Sequence, residues 1–353
     1  MRATLFGTNM QIIALAGGFG TRLRPWTKHL AKPLLPLLDK TLLEQVVHSL
    51  PTDMIDEVII AAGYGIEQMR EYFSERSYPF KITIVEETEP LGTGGAIANC
   101  REHLTGTFAV MNADLISSLK LDEMLEFHKS QGGLATISLW EVEDPTRFGI
   151  ADLGSDGKIS RFKEKPTLEE AFSRLINAGA YILEPEIFDH MPDGAHSIER
   201  DVYSNIAPLK LLNGFPFEGY FVDAGTPSSW LDAMKVSILN NRWNTGRVSE
   251  TSWFASRVTF EHPNKNSNEV PDHCKIVNSS VGKNVSCGLN VEISGSYLMD
   301  GVKIRSNASI HNCLIGQGAE IGTGVHLSNA VVDFDAVINI DDDDSIGGIK
   351  FYD

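Results

Sequence analysis

Glycine and basic residues are concentrated in one short segment near the start of the chain, Leu15-Ala16-Gly17-Gly18-Phe19-Gly20-Thr21-Arg22-Leu23-Arg24-Pro25. Its three glycines allow backbone N–H groups to approach an anion without obstruction by Cβ atoms. Arg22 can bind phosphate oxygens through its planar guanidinium, and Lys32 adds a mobile positive charge. The segment has neither the Gly-Lys-Ser/Thr of a P-loop nor the GxGxxG of dinucleotide-binding folds. It therefore predicts a phosphate-binding loop of another type.

Alternating strand-like and helix-like stretches must position this loop. Short apolar runs predict strands at Ile12–Ala16, Glu57–Ala62, Lys81–Glu86, Thr107–Asn112 and Ala135–Glu141. The stretches between them predict helices at Leu42–Leu50, Ile66–Ser74, Gly95–His103 and Leu121–Gln131. This alternation indicates an α/β fold with a mostly parallel sheet covered on both faces. Ligands of such sheets bind at the carboxyl ends of strands, which is where the glycine-rich segment begins.

The last part of the chain has a different repeat. Aliphatic residues recur every six positions, and the whole pattern recurs every seventeen, at Val281, Leu298, Ile315 and Val332. This period is typical of a triangular β-solenoid whose inward-pointing aliphatic side chains stack from coil to coil. An irregular all-β sandwich is the alternative. We therefore predict an α/β domain over residues 10–240, a connector over 241–268 and a solenoid over 269–353. The connector is expected to pack Trp243, Trp253 and Phe254 against the open end of the solenoid.

Composition excludes some classes of function. The 353 residues carry a formal net charge of −17, which argues against a protein that coats nucleic acid. No apolar run is long enough for a membrane span, and the N-terminus lacks a secretory signal pattern. The four cysteines form no CxxC pair, so we expect reduced thiols in a cytoplasmic protein. The acidic stretch Asp341–Asp344 is expected to be a solvated end of the solenoid.

The glycine-rich segment belongs to a longer pattern, Gly17-Gly18-x-Gly20-Thr21-Arg22-Leu23-x-Pro25-x-Thr27-x4-Lys32-Pro33. This pattern resembles the signature of the sugar-1-phosphate nucleotidylyltransferases, and the resemblance covers Met10 to about Asn240. Family members that add a left-handed β-helix include mannose-1-phosphate guanylyltransferases and glucose-1-phosphate adenylyltransferases. The resemblance implies a Rossmann-like, mostly parallel mixed sheet followed by a C-terminal left-handed parallel β-helix. It also implies a reaction of an NTP with a sugar 1-phosphate that yields an NDP-sugar and pyrophosphate.

Further motifs follow in the order that this family shows. Glu89-Pro90-Leu91-Gly92-Thr93-Gly94-Gly95 is similar to the base-contacting segment of the mannose-1-phosphate guanylyltransferases, although Ala-Gly is common where this chain has Gly94-Gly95. Asn112-Ala113-Asp114 and Asp223-Ala224-Gly225 match the segments that carry the two metal carboxylates. Phe148-Gly149, Glu164-Lys165-Pro166 and Asn177-Ala178-Gly179 match sugar-binding segments. Considered alone, Asp114 would be interpreted as a helix N-cap, and Asp223 or Glu164 as a turn residue. The order in which the motifs follow one another along the chain favours a substrate-binding site instead.

The resemblance assigns a role to each of these residues. The catalytic set is Arg22, Lys32, Asp114 and Asp223, and the last two would hold Mg²⁺, since hard cations prefer carboxylate oxygens. The nucleotide-binding set is Leu15, Ala16, Gly17, Gly18, Gly20, Thr21, Arg22, Gly92 and Thr93. The set that binds the sugar phosphate is Gly149, Glu164, Lys165 and Asn177. The favoured substrates are GTP and mannose 1-phosphate.

Several alternatives stay open at this stage. The same fold could take glucose 1-phosphate or a heptose 1-phosphate with UTP, dTTP or ATP. A non-catalytic paralogue that binds nucleotide sugars is less favoured, because both Arg22 and Lys32 are present. An acyltransferase based on His311 or His326 is disfavoured, because the flanking residues offer no orienting partner. His29 is expected to be a packing or surface residue. The exposed solenoid edges predict a homo-oligomer.

Overall fold

The computed structural model describes residues 10–48, 50–260, 270–271, 273–340 and 348–352. The predicted acidic end Asp341–Asp344 and part of the predicted connector lie outside these residues. The chain divides into two compact units. Unit 1 comprises the residues up to Gly18 together with Val46–Phe221, and unit 2 comprises Phe19–Gln45 together with Val222–Asp353. The glycine-rich segment therefore supplies residues to both units. The domain boundaries given above stay predictions.

Five α-helices account for most of the helical residues: α1 Leu42–His48, α2 Ile66–Ser74, α3 Gly92–Asn99, α4 Leu121–Gln131 and α5 Pro227–Leu239. Helix α5 begins with Pro227 after Thr226, whose hydroxyl accepts a hydrogen bond from the N–H of Ser229. This pairing satisfies a donor that the first helical turn leaves open. No helix in the described ranges is long and apolar enough to cross a membrane.

Unit 1 contains one large mixed sheet. In chain order its strands are β1 Met10–Leu15, β2 Ile55–Ala62, β3 Lys81–Glu86, β4 Phe108–Asn112, β6 Ala135–Glu141, β7 Gly149–Leu153, β8 Ile159–Glu164, β9 Leu175–Leu183 and β10 Leu212–Pro216. The short strand β5, Leu115–Ser117, follows β4 in the chain but lies outside this sheet. The main path of the sheet runs β8-β7-β9-β4-β1-β2-β3, and β6 joins β9 to β10. Strands β1 to β4 pair in parallel, while β9 runs antiparallel to β4 and β6. The predicted mixed, mostly parallel sheet is confirmed.

The central strands are apolar because both of their faces are covered. Ile12 and Ile13 of β1 are buried, as are Ile59 and Ile60 of β2. A strand buried on both faces is expected to read as a continuous hydrophobic run. The predicted bounds of β3 and β6 are confirmed, whereas the helix predicted from Gly95 begins three residues earlier and ends at Asn99.

Unit 2 contains the β-solenoid. Its strands form three sheets in which each coil pairs in parallel with the next at an offset of seventeen residues. One inward-facing column is Val281, Leu298, Ile315 and Val332, and all four side chains are buried. Trp253 and Phe254 lie in a strand that pairs in parallel with Ser280 and Val281, at a longer offset than seventeen residues, so that Phe254 continues the column that Val281 begins. The sequence period therefore predicted the stacking of the β-helix correctly.

Asparagine and glycine stand at the corners of the coils because the backbone there is left-handed. Asn278, Gly295, Asn312 and Asn329 are seventeen residues apart, and each has a φ between 50° and 57°. Residues with larger side chains are strained in this region, whereas glycine and asparagine adopt it readily. These four positions are thus corner residues.

Candidate functional site

The beginning of the glycine-rich segment is fixed to the end of β1 in unit 1. Leu15 pairs with Ala61 of β2, and Ala16 donates its N–H to the carbonyl of the same Ala61 at 2.8 Å. A Cβ on Gly17 would lie 2.6 Å from Oε1 of Glu87. The backbone at Gly17 therefore lies directly against a carboxylate.

Glu87 lies beside the glycine-rich segment and was not singled out in the sequence analysis. It is the first residue after β3, and its N–H donates to the carbonyl of Ala62 at 2.8 Å. Burial raises the pKa of its carboxyl, while a hydrogen bond from the backbone of Leu91 opposes that rise. Its position at the carboxyl end of a parallel strand was the available signal. A carboxylate at this point can accept hydrogen bonds from N–H groups of a ligand.

The first turn of α3 packs closely against the backbone of His196. The N–H groups of Gly94 and Gly95 donate to the His196 carbonyl at 3.0 and 3.3 Å. A Cβ on Gly92, whose φ is +70°, would lie 2.6 Å from that same carbonyl oxygen. A Cβ on Gly94 would overlap the imidazole ring. This close approach explains why the helix tolerates three glycines in its first turn.

Thr93 connects α3 to a buried glutamate. Its hydroxyl donates to Oε2 of Glu199 at 2.6 Å, and Ser197 donates to the same oxygen at 2.6 Å. The other carboxylate oxygen accepts a hydrogen bond from the hydroxyl of Tyr181 at 3.2 Å. Glu199 lies in a π-helical turn, Ile198–Tyr203, and carries no motif that would single it out in the sequence.

Asp114 lies in the tight turn between β4 and β5, at the carboxyl end of β4 as predicted. The N–H of Ala113 donates to the carbonyl of Leu15 at 3.1 Å, so this turn is fixed to the end of β1. The first glycines of the loop and the Asp114 carboxylate therefore start from neighbouring strand ends within unit 1.

Glu164 ends β8 opposite Gly149 of β7. A Cβ on Gly149 would lie 2.8 Å from Oε2 of Glu164, so only glycine leaves room for the carboxylate there. Burial raises the pKa of Glu164, and the negative charge of Glu199 adds to that rise. The two carboxyl groups are therefore close enough for the charge of Glu199 to disfavour ionisation of Glu164.

Lys165 directly follows this strand and has a left-handed backbone with a φ of +47°. Its N–H donates to the carbonyl of Phe148 at 2.9 Å, and its Nζ lies 3.5 Å from Oε1 of Glu164. Such a conformation is uncommon for a residue with a long side chain and is typical of functional positions. The exposed ammonium group is available to an anionic ligand.

Asn177 lies in β9 where the register with β6 shifts before Tyr181. Its Oδ1 accepts a hydrogen bond from the N–H of Gly179 at 2.9 Å, and its Nδ2 donates to the hydroxyl of Tyr181 at 3.0 Å. Gly179 has a φ of +73°, and a Cβ there would lie 2.5 Å from Nδ2 of Asn112. The Asn177 segment is thereby held against the strand that precedes Asp114.

The remainder of the glycine-rich segment folds within unit 2 as a series of short 3-10 turns. Gly20 has a φ of +61°, and its carbonyl accepts hydrogen bonds from Leu23 N–H and the Thr27 hydroxyl, both at 2.9 Å. A Cβ on Gly20 would lie 3.0 Å from Cβ of Lys32. The lysine stem therefore packs against the glycine turn.

Arg22 and Asp223 meet at Gly225 in unit 2. A Cβ on Gly225 would lie 2.6 Å from Nη2 of Arg22 and 2.8 Å from Oδ1 of Asp223. The guanidinium and the carboxylate therefore lie on either side of one point that only glycine leaves open. The N–H of Gly225 donates to the Asp223 carbonyl at 2.8 Å, which fixes the turn into α5.

The predicted site residues are divided between the units. Unit 1 contains Leu15, Ala16, Gly17, Gly18, Gly92, Thr93, Asp114, Gly149, Glu164, Lys165 and Asn177. Unit 2 contains Gly20, Thr21, Arg22, Lys32 and Asp223. The roles assigned to individual residues stay predictions.

Two family models match the chain. Residues 11–238 match the nucleotidyl transferase family, and residues 262–345 match the GMPPB C-terminal domain. The chain belongs to the nucleotidyl transferase family.

Several curated relatives of this nucleotidyl transferase resemble it over nearly their whole length. Mannose-1-phosphate guanylyltransferase 1 of Arabidopsis thaliana is 31% identical over 96% of this chain and 95% of that protein. The mannose-1-phosphate guanyltransferase of Schizosaccharomyces pombe is 30% identical over 94% and 92%. Among solved structures, HddC of Yersinia pseudotuberculosis in complex with GMP-PN is 28% identical, with a TM-score of 0.55 over 64% of this chain and 98% of that chain.

A divalent cation is the expected cofactor of a nucleotidyl transferase, because its substrates are phosphate anions. Asp114 and Asp223 are half-buried carboxylates, and their hard oxygen donors suit Mg²⁺. Within the part of the chain that the structure describes, no group of three or more His, Cys, Asp or Glu residues could hold a metal. Each carboxylate by itself is a donor of the kind that Mg²⁺ takes, since this ion is often bound by one or two carboxylates together with substrate phosphates and water.

The solenoid histidines of this nucleotidyl transferase do have partners. Nδ1 of His311 lies 2.5 Å from the hydroxyl of Ser294, and Nδ1 of His326 is hydrogen-bonded to Ser309. Each serine is seventeen residues earlier and therefore on the preceding coil. Neither partner is a flanking residue, because each contact is made between coils. The pairs connect successive coils.

Proposed function

We propose that this chain transfers the guanylyl group of GTP to mannose 1-phosphate, which yields GDP-mannose and pyrophosphate. The names of the relatives that cover more than 90% of the chain support this choice. The observation that carries the choice of base is the Glu87 carboxylate, which lies against Gly17 at the start of the nucleotide-binding loop.

A carboxylate at this position favours guanine on chemical grounds. Guanine presents two adjacent N–H donors, on N1 and N2, and one carboxylate can accept from both. Uracil and thymine present a single N–H between two carbonyl oxygens, which a carboxylate repels. A hydrogen bond to a charged partner contributes about 1.5–3 kcal/mol. Glu87 is therefore proposed to distinguish GTP from UTP and dTTP.

The phosphate chemistry requires positive charge more than it requires a base. The sugar phosphate is already an anionic nucleophile, so its oxygen can attack the α-phosphate without loss of a proton. Arg22 is proposed to bind the departing pyrophosphate, Lys32 to offset its growing charge, and Lys165 to hold the attacking phosphate. Donors fixed in position before the reaction stabilise such charge without further reorganisation.

The sugar hydroxyls are proposed to bind at Glu164 and Asn177. Glu164 lies over Gly149, and its carboxylate can accept hydrogen bonds from two hydroxyls. The hydrogen bonds of Asn177 to Gly179 and Tyr181 fix its amide in one orientation. Fixed orientation of this kind lets the pocket distinguish sugars by the positions of their hydroxyls.

Mg²⁺ is proposed to bind to Asp114 and Asp223 together with the substrate phosphates. When bound, it would neutralise phosphate charge and polarise the α-phosphate. Asp114 supplies its ligand from the end of β4, and Asp223 from the turn before α5.

The decisive experiment is a matrix of five NTPs against several sugar 1-phosphates, in which release of pyrophosphate is measured. We expect the highest kcat/KM with GTP and mannose 1-phosphate. Preference for UTP, dTTP or ATP would overturn the base assignment, and preference for glucose or heptose 1-phosphate would overturn the sugar assignment. Absence of turnover with every pair would support the non-catalytic alternative.

A variant tests the base assignment directly. Glu87→Gln keeps the size of the side chain but replaces one acceptor oxygen by a donor. We expect kcat/KM for GTP to fall about tenfold to a hundredfold, and the preference for GTP over UTP and dTTP to shrink. Glu71→Gln is the matched control, because Glu71 is an exposed glutamate of α2 in the same unit and lies outside the proposed site. An unchanged base preference in Glu87→Gln would refute the role of Glu87.

Assembly and location are also proposals. We propose a homo-oligomer that uses the solenoid, whose outer surface exposes Val337 and Ile340. A monodisperse monomer by light scattering would contradict it.

Cytosolic location is supported by four buried cysteines that form no disulfide, and cell fractionation would test it.

A further inference from the structure

The loop that carries Arg22 and Lys32 is anchored by a tryptophan in unit 2. Trp26 is fully buried, and its ring packs against Trp230, Tyr297 and Phe334 with ring centroids 6.1–6.3 Å apart. Its indole N–H donates to the carbonyl of Val332 at 2.9 Å. Tyr297, Val332 and Phe334 all belong to the solenoid. The loop is therefore packed on the solenoid by both a hydrogen bond and an aromatic cluster.

His29, near the other end of the same loop, makes a second contact with the same coil. Its ring stacks on Phe334 with centroids 5.0 Å apart and planes at 15°. Its Nε2 lies 2.9 Å from Oδ1 of Asp333, and the same oxygen accepts the N–H of Phe334 at 2.8 Å. Since the His29 side chain is 45% exposed, this polar contact is weak by itself, and the ring stack adds to it.

A third contact reaches the backbone of Arg22 itself. Nζ of Lys350 donates to the carbonyl of Arg22 at 3.4 Å. Lys350 lies in a strand that pairs antiparallel with Ala330–Val332 of the last coil. The contacts at Arg22, Trp26 and His29 thus fall on one small surface of the solenoid, formed by Val332, Asp333, Phe334 and Lys350, which we name the coil-end seat.

We propose that the coil-end seat positions Arg22 for the reaction, so that the last solenoid coil is a functional part of the active site. Three contacts within eight residues of the loop restrain the direction in which the Arg22 side chain leaves the backbone. Preorganised cations are effective only when their position is fixed before the reaction. This inference rests on the proposed function, because it uses the role of Arg22 in holding pyrophosphate.

Two variants weaken the seat without touching Arg22, Trp26 or His29. Phe334→Leu removes the ring stack with His29 and the edge contact with Trp26, and Asp333→Asn replaces the carboxylate that contacts His29 by an amide. Glu320→Gln is the matched control, because it breaks an ion pair with Arg305 (2.7 Å) elsewhere on the solenoid. The side chains of Glu320 and Asp333 are similarly exposed, at 27% and 21%.

The kinetic readout separates positioning from simple loss of folded protein. We expect KM for the NTP to rise, and kcat/KM for the NTP therefore to fall, about three- to tenfold in Phe334→Leu and about two- to fivefold in Asp333→Asn. KM for the sugar 1-phosphate should stay within about twofold, because the residues proposed to bind it lie in unit 1. A purely structural role would instead lower kcat in proportion to the loss of active protein and leave both KM values unchanged.

Hydrogen exchange gives a readout that needs no substrate. The amides of Leu23, Lys28 and His29 are hydrogen-bonded within the loop, to Gly20, Pro25 and Trp26. We expect them to exchange faster in both seat variants, by factors similar to the kinetic ones, and to be unchanged in Glu320→Gln. If Phe334→Leu fails to fold, Asp333→Asn still provides the test at a half-exposed site.

The outcomes distinguish the two proposals. Faster exchange together with a selective loss in kcat/KM for the NTP supports the coil-end seat. Normal exchange and normal kinetics in both seat variants would overturn it and leave the proposed function intact. A wild-type chain that is inactive with every substrate pair would overturn the proposed function, and with it the catalytic role of the seat, whatever the exchange rates show.

Discussion

Gly94 and His196 provide a sharp test of the packing at the first turn of α3. A methyl group on Gly94 would overlap the His196 ring. The ring is 93% buried, since His196 is 7% exposed, and its Nδ1 lies 2.9 Å from the carbonyl of Gly194. The imidazole therefore cannot swing away without losing both its packing and that hydrogen bond.

The expected cost follows from two opposing effects. Overpacking a well-packed interior costs about 1–3 kcal/mol. Replacing glycine by alanine inside a helix recovers about 0.5–1 kcal/mol. Gly94→Ala should therefore lower the free energy of unfolding by about 0.5–2 kcal/mol. Gly106→Ala is the control, because no atom lies within 4 Å of a Cβ there.

A double-mutant cycle with His196→Ala isolates the clash. In the double variant the new methyl group occupies space that the ring has vacated, and the helix keeps the benefit of alanine. We expect the double variant to be about 1–3 kcal/mol more stable than the sum of the single effects. The assay is urea unfolding followed by pulsed hydrogen exchange of peptides from β1 and β4, which reports on unit 1 separately. Additive effects, or a stabilised Gly94→Ala single variant, would refute the packing argument.

Two further predictions concern Glu164 and the solenoid corners. Burial and the charge of Glu199 raise the pKa of Glu164 above 4.5. The folded chain therefore binds the proton of this carboxyl group more tightly than the unfolded chain does. As a result, the stability falls as pH rises from the unfolded pKa through the folded pKa. Glu164→Gln should therefore be more stable than wild type at neutral pH, but not well below pH 4.5, and it should lose sugar binding. Thermal unfolding as a function of pH measures the stability, and titration with the sugar phosphate measures the binding. A stability difference that does not depend on pH would contradict the predicted pKa effect. Asn329 has a φ of +51°, so Asn329→Ala should cost about 1–2 kcal/mol, whereas Asn329→Gly should be tolerated. Urea unfolding of the two variants compares them directly, and equal losses would show that backbone strain is not the cause.

The solenoid was predictable because one physical rule operates at every coil. Each inward side chain must be aliphatic to stack on the same position of the next coil, and each corner must tolerate a left-handed backbone. The register Val281–Leu298–Ile315–Val332 follows directly from that rule. The central strands were predictable for a similar reason, since burial on both faces forces a continuous apolar run.

Glu87, Glu199 and His196 were not predicted, because none of them belongs to a sequence motif and each makes its contacts with residues distant in sequence. Glu199 meets Thr93 across 106 positions, and no spacing rule connects them. His311 and His326 had partners on the preceding coil that a search of flanking residues could not show. The start of α3 was missed because glycines normally disfavour helix, whereas here they permit close contact with the His196 backbone.

The amino-acid sequence by itself determined the glycine-rich loop, the order of the motifs and the seventeen-residue repeat, because these depend on local backbone freedom and on periodic burial. Only the tertiary structure decided which side chains meet. Packing placed a carboxylate against Gly17, an imidazole under Gly94 and the last solenoid coil against Trp26, 306 positions away. Contacts of this kind depend on how the elements pack against one another, and that packing is a property of the whole fold rather than of any segment.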